Sequence, residues 1–148
     1  MPAVVDLPDL AATEALSRQI AAKALAGDVI ALSGGLGAGK TAFARAFVAA
    51  RLGRDEEVPS PTFTLVQTYD APGGAIWHFD LYRLSRPEDA RELGFEQAFR
   101  DGISLIEWPD RLGAWLPEDR LDIALAQGPR ENARCAIITP HGSWIDRV

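Results

Sequence analysis

Eight consecutive residues, Gly34-Gly35-Leu36-Gly37-Ala38-Gly39-Lys40-Thr41, carry the pattern G-x-x-x-x-G-K-[ST] and with it the chemistry of phosphate binding. Glycines at 34, 35, 37 and 39 allow positive φ and close approach to a ligand, so that successive backbone N–H groups can ring phosphate oxygens. Lys40 is placed to reach β- and γ-phosphates, and the Thr41 hydroxyl is suited to ligate Mg²⁺. Of fifteen basic side chains only Lys23 and Lys40 are lysine, and a compact ammonium kept here in an arginine-rich chain fits a phosphate contact. The expected nucleotide contacts are Gly35, Leu36, Gly37, Ala38, Gly39, Lys40, Thr41 and Ala42, with Lys40 also acting in catalysis.

A phosphate cradle alone does not hydrolyse its ligand; an acid on a neighbouring strand must help hold the metal, and a group must position water. Asp80 ends the apolar run that begins at Ala75, and Glu107 ends Ile103-Ser104-Leu105-Ile106. A carboxylate at the carboxyl end of a buried strand stands where ligands bind in open α/β sheets. Either acid alone is as easily a solvated strand end; together, downstream of this loop, they read as functional. Ser60-Pro61-Thr62 reads first as a turn opening a strand, although its hydroxyls, on a loop held by Pro59 and Pro61, also suit a switch segment. His78, on an otherwise apolar strand, is expected to be a hydrogen-bonded core residue. Trp108, beside Glu107, reads most simply as packing, although an indole there could also shield the site from water.

The elements that must hold these groups follow from periodicity. Val4 to Leu7 reads as a strand, and Asp9 or Thr13 caps a helix with apolar residues at Leu16, Ile20, Ala24 and Leu25. Val29-Ile30-Ala31-Leu32 leads as a strand into the loop, and residues 42–50 leave it as a helix that stops near Gly53. Residues 63–69 and 75–82 form a hairpin around Asp70-Ala71-Pro72-Gly73-Gly74. Pro87 opens a helix, with a second helical piece up to about Arg100. Ile103 to Glu107 is a buried strand, and two last strands lie near Arg120 to Ala126 and Ala133 to Thr139. The fold expected is α/β: a P-loop NTPase-like single domain, residues 1–148, whose mixed central β-sheet is flanked by helices.

Composition narrows the function. With 148 residues, 47% hydrophobic, and net charge −6, the chain suits one core and would repel a nucleic-acid backbone over most of its surface. Strong independent nucleic-acid binding is not expected; Arg83, Arg86 and Arg91 could form a small positive patch, although a solvated helix face is the more ordinary account. No apolar run is long enough to span a bilayer, and residues 1–6 lack a targeting pattern, so no membrane partner and a cytoplasmic location are expected. Cys135 reads as a core thiol, and one Cys with two His builds no zinc site.

Four segments, GGLGAGKT, SPTFTLVQTY, HFDLYRL and the IEWPDRL stretch, in this order and spacing, closely resemble the TsaE (YjeE) family, small P-loop ATPases of bacterial tRNA threonylcarbamoyladenosine (t6A) biosynthesis. The resemblance runs from about Val4 to Arg134. It implies an ATPase that binds ATP or ADP with Mg²⁺ and works with TsaD- and TsaB-type proteins in modifying tRNA at position 37. By position, it implies that Lys40 contacts phosphates, that Thr41 and Glu107 ligate the metal, and that Asp80 is a metal partner or water orienter. Ser60, Pro61 and Thr62 match a switch-like loop, and Leu10, Thr13 and Arg130 lie where the family borders its nucleotide. The family often has Asp at Gly35 and Thr at Ala42; both departures spare the lysine and the metal-binding hydroxyl, so they bear on turnover. The rivals are a small-molecule P-loop kinase, with Arg83 to Arg91 as its lid, and a nucleotide-gated binding module with negligible hydrolysis. A GTPase is disfavoured because Asn132, the only Asn, is followed by Ala133.

Overall fold

The structure, a computed structural model, describes residues 2–54 and 65–148. Its regular elements are β1 Ala3–Leu7, α1 Leu10–Lys23, β2 Val29–Ser33, α2 Lys40–Leu52, β3 Val66–Tyr69, β4 Ile76–Asp80, α3 Phe95–Asp101, β5 Ile103–Glu107, β6 Leu121–Gln127 and β7 Arg134–Pro140. Short 3₁₀ segments add Pro87–Leu93, Pro109–Trp115 and Gly142–Asp146. All seven strands join one sheet in the order β1-β7-β6-β2-β5-β4-β3. β2 lies parallel to β5 and β6, and β4 parallel to β5, while β3 and β7 run antiparallel to their neighbours. This is the mixed α/β sheet that the alternation of segments predicts.

Alternation along each strand sorts its side chains between two cores. Ile30 and Leu32 of β2, Ile76 of β4, and Ile103 and Leu105 of β5 meet Phe43, Phe47 and Val48 of α2 and Ile20 and Ala21 of α1. The other face carries Val29, Phe79 and Ile106 against Phe95 and Ala98 of α3 and Leu112. Phe43 and Phe47 are fully buried, each stabilising the fold by roughly 1.5–3 kcal/mol through area removed from water. That burial fixes α2 over β2, β4 and β5, the last two of which carry the acids at their ends.

Several local readings are refined. Asp9, and not Thr13, caps α1, its carboxylate accepting from the Ala12 amide at 2.8 Å, which leaves Thr13 buried inside the helix. The piece after Pro87 is a 3₁₀ segment, stopped by Gly94 in a left-handed conformation at φ 83°. Cys135 is half-buried because Ala136 and Ile138 take the core face of β7 and leave it on the opposite side. The C-terminal 3₁₀ segment, to which no sequence pattern pointed, buries Trp144 completely. Among the described residues no helix is long and apolar enough to cross a membrane.

Candidate functional site

The loop after β2 turns on its glycines. A Cβ built at Gly34, where φ is +139°, would stand 2.3 Å from the Leu125 carbonyl oxygen, so no other residue fits against β6. Gly39 caps α2 in a left-handed conformation, φ 104°, with no side chain bonding the first turn. The opening N–H groups of α2 are thereby left without a side-chain cap, on the helix end that favours anions. A cleft of about 470 Å³ opens in front of them, lined by Leu36 to Ala42, Asp80, Tyr82, Arg83, Glu107 and Trp108.

The acids reach this cleft through sheet register. In the parallel pairing of β4 and β5, Asp80 lies opposite Glu107, and Glu107 also lies opposite Leu32 at the end of β2. Both side chains take the α2 face, because Ile76, Ile103 and Leu105, an even number of residues earlier, already point there. Glu107 is 2% exposed. Thr41 donates its hydroxyl hydrogen to this carboxylate, with Oγ1 3.1 Å from Oε1 and 3.3 Å from Oε2, and His78 Nε2 lies 2.7 Å from Oε2. Asp80 accepts from the Tyr82 amide at 3.2 Å. Burial raises its pKa and the neighbouring Glu107 adds to the rise, against lowering by the Tyr82 hydrogen bond, His78 and Lys40.

Lys40 is buried, and its Nζ donates to the Gly34 and Gly35 carbonyls at 2.6 and 2.9 Å. The ammonium also stands 4.0 Å from the centre of the Trp108 ring, a cation–π contact. Desolvation lowers the Lys40 pKa, while Glu107 and Asp80 oppose the fall. Trp108 takes a left-handed backbone, φ 61° and ψ 54°, which is uncommon for a bulky residue and marks a site whose surroundings impose the shape. Its ring leans on Tyr82 at 4.9 Å between centroids. Trp108 thus walls the cleft beside Glu107.

Not every expected residue meets here. Gly35 is the one expected loop contact outside the lining. Leu10 is an exposed first residue of α1 and Thr13 a buried one, and neither lines the cleft. Arg130 lines a second groove, of about 350 Å³, between Asp6 to Pro8 and the turn before β7. Ser60, Pro61 and Thr62 lie outside the described residues. Arg134, absent from the expected set, donates from Nη2 to the Gly37 carbonyl at 3.0 Å and also lines the second groove. Its only signal in sequence is a charge set at the start of an apolar strand. Tyr82 and Arg83 reach the cleft because they lie in the turn just past Asp80, beyond the buried Leu81.

The chain matches the family model described as threonylcarbamoyl adenosine biosynthesis protein TsaE over residues 7–135. It belongs to the TsaE family. A curated TsaE of Rickettsia conorii is 39% identical over 129 residues, spanning 87% of this chain and 74% of that protein. A TsaE of Bacillus subtilis is 39% identical over 114 residues, 76% of this chain and 70% of its own. The crystal structure of Bacillus subtilis YdiB superposes with a TM-score of 0.83 at 29% identity, covering 99% of this chain and 90% of that one. TsaE membership sets the protein in threonylcarbamoyladenosine biosynthesis, and the TsaE match includes the loop, both strand-end acids and Arg134.

Proposed function

We propose that this TsaE-family chain binds ATP in the loop cleft, hydrolyses it with Mg²⁺, and through that cycle drives a TsaD/TsaB-type partner complex in the t6A modification of tRNA. The observation that carries the reading is the Thr41 hydroxyl bonded to the Glu107 carboxylate directly beneath the start of α2. All the oxygens there are hard donors, a hydroxyl and carboxylates, which suits Mg²⁺. Among the described residues no three His, Cys, Asp or Glu side chains form a complete cage, in keeping with a metal that takes one or two carboxylates and completes its shell with phosphates and water.

In this reading Thr41 and Glu107 would hold the metal, and Mg²⁺ would supply charge neutralisation on the phosphates. Lys40 exchanges the Gly34 and Gly35 carbonyls for phosphate oxygens, and the α2 N-terminus adds its N–H groups. Asp80, fixed by the Tyr82 amide and with its proton affinity raised, orients the attacking water and takes its proton. Trp108 and Tyr82 exclude bulk solvent from that water. The groove beyond Arg134, with Arg130 on its wall, accepts the base. Residues 60–62 act as the switch that partners read.

Calorimetry with ATP or ADP, with and without Mg²⁺, tests the first half. Lys40→Ala is expected to abolish the heat of binding and Glu107→Ala to abolish its Mg²⁺ dependence. Phosphate release measured with purified TsaD- and TsaB-type proteins tests the second, with hydrolysis expected to rise on their addition. Turnover indifferent to those proteins would remove the partner half of the proposal.

A further inference from the structure

His78 is fully buried, and one ring nitrogen sits 2.7 Å from Glu107 Oε2 across 29 residues of chain. His78 and Asp80 share one face of β4, so the H-x-D spacing sets an imidazole behind the Glu107 carboxylate and a second carboxylate in front of it. Nδ1 of that ring is buried without a hydrogen-bond partner among the described residues. A hydrogen on Nδ1 alone would aim the Nε2 lone pair at the carboxylate and leave a buried donor without a partner. Nε2 therefore carries hydrogen and donates it to Oε2.

This bond does more than satisfy a core polar group. A glutamate side chain has three rotatable bonds, and Glu107 is gripped from two sides, by Thr41 from α2 and by His78 from β4. With Oε2 engaged by the imidazole, the carboxylate plane is fixed and Oε1 is left turned toward the Thr41 hydroxyl. We propose that His78 is a positioning residue for Glu107, an imidazole donor built into β4 that orients the metal-binding carboxylate before nucleotide arrives. The inference rests on the assignment of Glu107 as a metal ligand in the proposed function. Donors that orient metal ligands from behind typically alter metal affinity 10–100-fold when removed.

The test is calorimetry of ADP binding across a Mg²⁺ series with the full chain, His78→Leu and His78→Gln, whose terminal amide N–H reaches the place of Nε2. In His78→Leu the Mg²⁺-free affinity is expected to stay at the parent value while the gain from Mg²⁺ falls about 10–100-fold, and His78→Gln is expected to restore most of the gain. Equal losses in both variants, or an undiminished gain in His78→Leu, overturn the inference and leave the nucleotide reading standing. Absence of any Mg²⁺ gain in the parent chain overturns both. Should His78→Leu not fold, the parent decides: its imidazole nitrogen spectrum, assigned through His141→Gln, is expected to show hydrogen on Nε2 and to move when Mg²⁺ joins the ADP complex. Nε2 without hydrogen, or no response to Mg²⁺, overturns the inference.

Discussion

Asp80 is a buried carboxyl that the fold holds at a cost. Its carboxyl loses solvation in the folded chain and faces Glu107, so its folded pKa is raised. A carboxyl with a raised folded pKa binds its proton more tightly when folded, so stability falls as pH rises from the ordinary carboxylate value through the raised one. Asp80→Asn removes that dependence. The variant is expected to melt higher than the parent at neutral pH, with the gap closing below about pH 4, where the carboxyl is protonated in both states. It is expected at the same time to keep nucleotide binding and lose about 10²–10⁴-fold in hydrolysis. Thermal melts across pH, paired with phosphate release, check both halves, and a variant no more stable than its parent at neutral pH would contradict the account of the buried charge.

Among the elements, the loop between β2 and α2 separates its glycines by role. Gly34→Ala must push the Leu125 carbonyl away at a φ that side chains rarely adopt, so a loss of at least about 2 kcal/mol in urea denaturation is expected. At Gly35 a Cβ meets nothing within 4 Å, so Gly35→Asp, the residue common in the family, is expected to change stability by less than about 0.5 kcal/mol. A comparison of nucleotide turnover between the parent and Gly35→Asp then measures what that departure does to the reaction alone. At the start of α1, Asp9→Ala is expected to cost about 1 kcal/mol as a lost cap. The pattern G-x-x-x-x-G-K-T made the loop legible but did not rank its glycines, since the clash at Gly34 comes from β6, far along the chain.

Across the whole molecule, the chain end after β7 closes the α1 side of the core. Trp144 is fully buried in that core, and Arg147 spans both Asp28 oxygens at 2.6 and 2.8 Å while stacking over the Trp144 ring. The hydrogen bonds to Asp28 raise the Arg147 pKa and outweigh the lowering by burial. Trp144→Ala is expected to destabilise the protein by about 3–5 kcal/mol and to leave ADP affinity of the folded chain unchanged, because the segment contributes nothing to the loop cleft. Paired denaturation and calorimetry check this. These residues lie beyond the stretch matched by the family model, and no periodicity marks a single turn carrying one tryptophan.

Local pattern determined the glycine-rich loop, the strand before it, the helix after it and the two apolar runs ending in Asp80 and Glu107, because glycine spacing and two- or 3.6-residue periods are written in neighbouring residues. Tertiary structure alone decided that the acids stand side by side, that His78 grips Glu107 and that Arg134 reaches the loop. Those pairings depend on which strands become neighbours and in what register, and register is set by hydrogen bonds between segments far apart in the chain, backed by the burial of whole faces.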